Sequence, residues 1–256
     1  MRTDAASIPD WRDAARYAAL LGADRALFAW EWLRRDPAYR SAADAFEAGR
    51  SAGLATPGPE RFGLAAFEAA GCAVPDARPI WRAEVHPLVL AARPGAGGAH
   101  HDLFDLARFS SFARIVTDEA ADRLLMSDGL RSVRIDAQPG TFGGGPVHLN
   151  YELGGIISVE SPLLTLRRFL ALARTGCFSR VLHPAERRAR RWILLLRAWD
   201  GLGAGADQRE IARVLLSRSA GEPRWRSREP SVRSQVQRLV RSARAFARGG
   251  YRRLLD

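Results

Sequence analysis

The apolar positions of this chain change their period twice. From Trp11 to Phe46 they recur at helical spacing, first as Trp11, Ala14, Ala15, Tyr17, Ala18 and Leu21, then as Leu27, Phe28, Trp30 and Leu33, then as Tyr39, Ala43 and Phe46. Asp10, Asp24 and Asp36 precede the three runs, where a carboxylate can accept from an open first-turn N–H; Pro37 sits at a position that needs no N–H, and Gly22 ends the first run. Three short helices are predicted. A further short helix is expected around Leu64 to Ala70, and then the runs become brief and partly alternating: Trp81 to Ala91, Leu103 to Leu106, Ala113 to Thr117, Arg123 to Met126 and Ser132 to Ile135. Turn residues such as Ser127-Asp128-Gly129 separate them, which predicts a small, mostly antiparallel sheet. After Pro162 the helical period returns. Leu163 to Thr175 is amphipathic and stops at Gly176; Pro184 to Leu202 carries Trp192, Ile193, Leu195, Leu196 and Trp199; Gly201 to Gly205 is a break. Asp207 caps Gln208 to Leu216, a polar connector from Ser217 to Pro230 holds Trp225, and Ser231 caps a last long helix ending at Gly249-Gly250.

The expected fold class is therefore α+β, with N-terminal short helices, a central small antiparallel sheet and a C-terminal helix-turn-helix variant. Changes of composition divide it into a helical module (1–50), a small β region (51–162) and a basic helical domain (163–256). Trp11, Trp30 and Trp32 crowd into the first of these, which suits a compact core. With 256 residues and 47 % hydrophobic content there is enough apolar material for real cores. The chain contains no run of eighteen apolar residues, and aspartates and a proline occupy Met1 to Trp11 where a leader would be apolar, so a soluble, cytoplasmic protein without membrane contact is expected. The cysteines, Cys72 and Cys177, lack the paired spacing of a metal knuckle and are expected as small buried hydrophobes.

Charge sharpens this picture because it belongs to one end. Residues 166–256 hold 22 arginines against 7 acids, whereas residues 1–165 hold 17 against 21, and the whole chain carries +11. A concentrated basic segment on regular helices is the electrostatic footprint of a surface that meets a polyanion. There is no lysine, so a Walker-type phosphate loop, a lysine Schiff base and a lysine general base are all excluded.

At about 100° per residue the last helix divides into two faces. Val232, Val236, Leu239, Val240, Ala243, Phe246 and Ala247 share one side, and Arg233, Ser234, Gln237, Arg238, Arg241, Arg244 and Arg248 the other. No acid occurs from Ser231 through Leu255, so the sign alternation of an ordinary solvated face is missing. Arginine and glutamine on a rigid helix can contact phosphates and base edges of the major groove. Double-stranded promoter DNA is the expected partner, held through Arg233, Gln237, Arg241, Arg244 and Arg248, with Arg209 and Arg213 on backbone phosphates. The helix order before it is that of a helix-turn-helix unit whose turn is expanded to Ser217 through Pro230.

Specific segments also carry a resemblance. Arg197-Ala-Trp-Asp-Gly, Arg209-Glu-Ile-Ala-Arg-Val-Leu, Val232-Arg-Ser-Gln-Val-Gln-Arg-Leu-Val and Gly249-Gly-Tyr-Arg-Arg-Leu-Leu resemble a proteobacterial domain family regarded as a helix-turn-helix variant. Trp11, Tyr17 and Ala29-Trp-Glu-Trp-Leu-Arg-Arg-Asp-Pro-Ala-Tyr39 look like the small transcriptional-regulator-like domain that often precedes it. Together they are similar to FseA-type activators of excision and transfer of integrative and conjugative elements. The resemblance covers both ends and little of the middle, and Ala204-Gly-Ala-Asp-Gln208 replaces the Gly-Ala-Ser-Tyr-like turn that family members carry. It implies a DNA-binding transcriptional activator located in the cytoplasm and on the nucleoid, with RNA polymerase or an antiactivator as protein partners. Because the family also contains short antiactivators, the alternative is a protein-interaction module that does not read DNA.

Competing chemistry finds less support. His100-His101 beside Asp102 and Asp105 invites a metal or hydrolase reading, but the pair follows the glycine-rich Gly95 to Ala99, and neighbouring strand residues point to opposite faces. Gly143-Gly-Gly-Pro146 before His148 reads as a tight loop, since no helix start follows it. No nucleophile elbow, zinc-protease or paired-carboxylate pattern is present, so neither an enzyme nor a metal or cofactor is expected.

Overall fold

In the computed structural model, which describes residues 8–49, 58–97, 99, 102–222 and 229–256, aspartate side chains open the N-terminal helices. Asp13 accepts from the Ala15 N–H ahead of a 3₁₀ segment, Ala14–Gly22. Asp24 accepts from Leu27 N–H at the start of α1 (Arg25–Leu33), and Asp36, with Pro37 at the first position, accepts from Ala38 N–H at the start of α2 (Pro37–Glu47). The first segment is thus a tighter helix than its period predicts and begins after Asp13 rather than Asp10. Every residue of α1 from Ala26 to Leu33 is buried. A helix that is apolar all round belongs in the middle of a core, and α1 is where the ends of the chain meet.

The central region forms a five-stranded mixed sheet from β1 (Leu90–Gly95), β2 (Ala113–Thr117), β3 (Asp122–Ser127), β4 (Ser132–Ala137) and β5 (His148–Glu152), in the order β2-β3-β4-β1-β5. Three pairings are antiparallel and one, β1 with β4, is parallel, Leu90 standing beside Ile135. The β3–β4 hairpin turns through Gly129 at φ +93°, and a Cβ there would stand 2.4 Å from the Pro75 carbonyl oxygen, so both backbone conformation and space require glycine. Leu90, Ala92, Leu124, Met126, Val133 and Ile135 occupy one face and pack under Phe169 and Leu172 of α3 (Glu160–Thr175). The other face carries Arg114, Leu125 and Arg134 toward the helical body.

The strand readings need three corrections. Trp81–Ala91 is a loop until Leu90, because Ala83–Val85 form a turn and Pro87 has no N–H to give a ladder. Around Leu103–Leu106 only Phe104 pairs, with Val147, since Asp105 caps a 3₁₀ turn over Leu106–Phe112. The glycine loop before His148 leads into β5, a strand the pattern did not announce. The expected helix at Leu64–Ala70 is irregular chain entered by a Leu64–Trp81 bridge.

After α3, which ends at Gly176 in the left-handed region, come α4 (Ala189–Gly203), α5 (Gln208–Leu215) and α6 (Pro230–Ala247), with a closing 3₁₀ turn at Gly250–Leu254. Helix α4 begins at Ala189, later than Pro184, and runs on to Gly203; α6 begins at Pro230 without a side-chain cap, so Ser231 lies inside the helix rather than capping it. Trp225, His100 and His101 lie outside the described residues. Cys177 is exposed, contrary to its expected burial, and Cys72 is half-buried. One apolar core contains Trp11, Phe28, Trp30 and Trp32 from the beginning of the chain together with Trp192, Leu196, Ile211, Val236 and Val240 from its end; a second lies between the sheet and α3.

Candidate nucleic-acid interface

Helix α6 has the two faces its sequence describes. Val236, Leu239, Val240 and Ala243 are buried, while Arg233, Gln237, Arg238, Arg241, Arg244 and Arg248 are exposed, Arg248 at the C-cap. The helix is fixed from behind by α4 and α5, and Phe246 meets Trp32 of α1 with ring centroids 5.4 Å apart. Its 18 residues extend about 27 Å at the α-helical rise. Among the described residues no carboxylate pairs with Arg213, Arg233, Arg241, Arg244 or Arg248. Their five charges therefore stand on the surface without an ion pair among the described residues.

Helix α5 is set by Asp207, which caps it through the Glu210 N–H, and by Ile211 and Ala212, which are buried. Arg209 and Arg213 stand four residues apart on its exposed side. They differ in freedom, because the Arg209 Nε donates to the Ala220 carbonyl at 3.4 Å and so holds the segment after α5. Glu210, on the same helix, is paired with Arg12 from the start of the chain.

Behind this surface lies a buried charge cluster that the sequence pattern did not single out. Arg35 donates to both Asp200 carboxylate oxygens, at 2.7 and 2.8 Å, and to Glu31. Arg34 donates to Glu31 at 2.8 Å, and the Tyr17 hydroxyl donates to Asp200 at 2.7 Å. All of these side chains are buried. Burial lowers the basicity of Arg35, but Glu31 and Asp200 outweigh it and hold the guanidinium charged. Burial raises the pKa of Glu31, and Arg35 and Arg34 reverse this and leave it below the ordinary carboxylate value. The Tyr17 hydroxyl is pushed well above its usual range by burial and then by Asp200, and stays protonated as a donor. Arg197 adds bonds from Nε and Nη2 to the carbonyls of Trp11 and Arg12, at 2.8 and 2.9 Å. Asp200 and Arg197 are on α4 and their partners are at the other end of the chain, so the cluster ties α1 to the helix on which α6 rests. The sign of it in the sequence was that Arg197-Ala-Trp-Asp200 and the stretch holding Glu31, Arg34 and Arg35 both belong to segments with family resemblance.

Comparison with known proteins agrees with the geometry. Residues 160–256 match a family model described as "T6SS, Transcription factor, DNA binding domain", and residues 10–64 match one described as "Proteobacterial transcriptional regulator-like domain". No curated protein and no solved structure matches the chain. The two domains are those of a DNA-binding transcriptional regulator. Among the described residues no helix is long and apolar enough to cross a membrane, and no group of three or more metal-ligating side chains comes together.

Proposed function

We propose that this regulator reads promoter DNA through the exposed face of α6. Arg233, Gln237, Arg241, Arg244 and Arg248 enter the major groove, Arg209 and Arg213 contact backbone phosphates, and α4, α5 and α6 act as a helix-turn-helix variant with an expanded turn. The observation that carries this reading is a rigid helix whose arginine face is exposed and free of acids while its opposite face is buried. Arginine can place two donors on guanine O6 and N7, and glutamine can donate to adenine N7 while accepting from its N6 amino group. We further propose that the protein activates genes for excision or transfer of a mobile element, with RNA polymerase or an antiactivator as a protein partner, a reading supported by the similarity of both chain ends to FseA-type activators. The matching C-terminal family is described with T6SS, which favours secretion genes as a second class of target.

A gel shift with DNA from upstream of the protein's own and neighbouring genes, compared with scrambled DNA of equal length, tests the reading. Binding at least about a thousandfold tighter to one upstream sequence is expected, within the ordinary specificity range. Equal binding to all sequences would favour docking of an acidic protein at the same basic face.

A further inference from the structure

Strand β5 ends the sheet. One of its edges pairs with β1, and on the other the described residues supply a single bridge, Phe104 with Val147. Leu149 to Leu153 is therefore an open edge, bounded on one side by Phe104 and on the other by Gly154-Gly155, where Gly155 turns at φ +81°. Directly after it the chain displays Ile156 and Ile157, 93 % and 86 % exposed, between the half-exposed Leu153 and Leu163. We infer that this edge and its isoleucine pair form the contact between two copies of the chain, joined β5 to β5 about a two-fold axis.

A bare strand edge and a cluster of exposed apolar side chains both mark interaction surfaces, since each leaves groups that a partner would satisfy. Charge says which partner. The chain carries +11 and 39 arginines, yet residues 135–166 contain none, and the charged side chains there are Asp136, Glu152 and Glu160. Nucleic acid and anionic lipid are drawn to basic side chains, so neither finds a counter-charge in this stretch. A second copy needs the reverse, because two molecules of like charge approach closely only where that charge is missing. Arg93, on the neighbouring strand, is neutralised by its pair with Glu152.

The strand is also complementary to itself. With only Leu149 to Leu153 open, an antiparallel copy is centred on Tyr151 and sets position 149 against position 153. Leu149 then meets Leu153 of the second copy on the face under α3, where Tyr151 already rests on Phe169 with ring centroids 6.0 Å apart. On the opposite face Asn150 meets Glu152 of the second copy, amide donor to carboxylate, twice in the dimer. Two five-stranded sheets become one of ten strands, with Ile156 and Ile157 of each copy at the ends of the seam. On the DNA reading above, the two-fold axis presents two α6 helices and matches an inverted repeat; the pairing itself does not depend on that reading.

Sedimentation equilibrium of the full chain without DNA, over a micromolar concentration series, tests this. A mass of twice 28.1 kDa is expected. Ile156→Ser with Ile157→Ser is expected to raise the dissociation constant at least tenfold and to leave circular dichroism unchanged, since neither side chain is buried. Asn150→Asp sets carboxylate against carboxylate twice and is expected to weaken pairing at least about threefold, whereas Asn150→Arg, facing Glu152, is expected to tighten it. Should the isoleucine variant not fold, the two substitutions at Asn150 decide. A monomer throughout the series would assign the patch to a different protein and overturn the proposal. So would a folded isoleucine variant that pairs as strongly as the native chain, or pairing indifferent to both changes at Asn150. No DNA enters the experiment, so its outcome is independent of the DNA reading.

Discussion

Arg35 holds the most demanding position in the molecule, a guanidinium wholly out of water between two carboxylates from distant parts of the chain. Removing one partner of a buried pair leaves the other charge uncompensated, which typically costs about 3 to 5 kcal/mol. Asp200→Ala is therefore expected to lower the unfolding free energy obtained from urea titration by that amount, whereas a change under about 1 kcal/mol would mean that Glu31 alone satisfies Arg35. Three groups inside the fold contribute to the acid side of the stability curve. Burial keeps His86 and His183 below the ordinary 6.5, so the unfolded chain takes up their protons first and their contribution is lost as pH falls below that value. Glu31 is held below its ordinary 4.5, so its contribution is complete above 4.5 and disappears as pH falls through the lowered value. Urea midpoints at pH 7.5 and 5.5 check the histidine part; the midpoint is expected to be lower at 5.5, and His86→Gln with His183→Gln should reduce the difference.

At the scale of elements, the helices with aspartate caps were legible because cap, period and proline all point to one structure, as at Asp36-Pro37. The arginine face of α6 was legible for a related reason, since a fixed turn per residue converts sequence spacing directly into an angle. Strands offered less. Phe104 sits in an expected strand and Leu64 in an expected helix, yet each makes a single bridge, and β5 depends on a partner, β1, more than fifty residues away that no local pattern names. The Arg35–Asp200 pair spans 165 positions, so it has no local signature. The β3–β4 turn gives an element-scale test. Gly129→Ala places a methyl group against the Pro75 carbonyl in a backbone conformation disfavoured for alanine, and a loss of about 1 to 3 kcal/mol is expected in thermal unfolding. An unchanged Tm would show that the hairpin does not press on the loop at Pro75.

For the whole molecule, the decisive feature is that the beginning and the end of the chain share one core while the sheet and α3 form another. The surface proposed to meet DNA is therefore held by residues far from it, through Trp32 on Phe246 and Arg35 on Asp200. Residues 160–256 expressed alone would expose the apolar side of α4 that α1 covers, with Trp192 losing Phe28. A broad, non-cooperative melt is expected for this fragment, and a sharp transition as stable as that of the full chain would show that the end folds unaided. The central claim, that the α6 arginines bind DNA, is tested most directly by fluorescence anisotropy of the selected promoter DNA across a range of salt, comparing the native chain with the Arg241→Ala, Arg244→Ala double variant. Neither side chain belongs to the buried stripe, so circular dichroism should be unchanged. Affinity is expected to fall at least about thirtyfold if each arginine contributes about 1 to 3 kcal/mol, and the salt slope to fall by up to about two for two lost phosphate contacts. Unchanged affinity and slope in the folded double variant would contradict the account and remove α6 as the recognition helix.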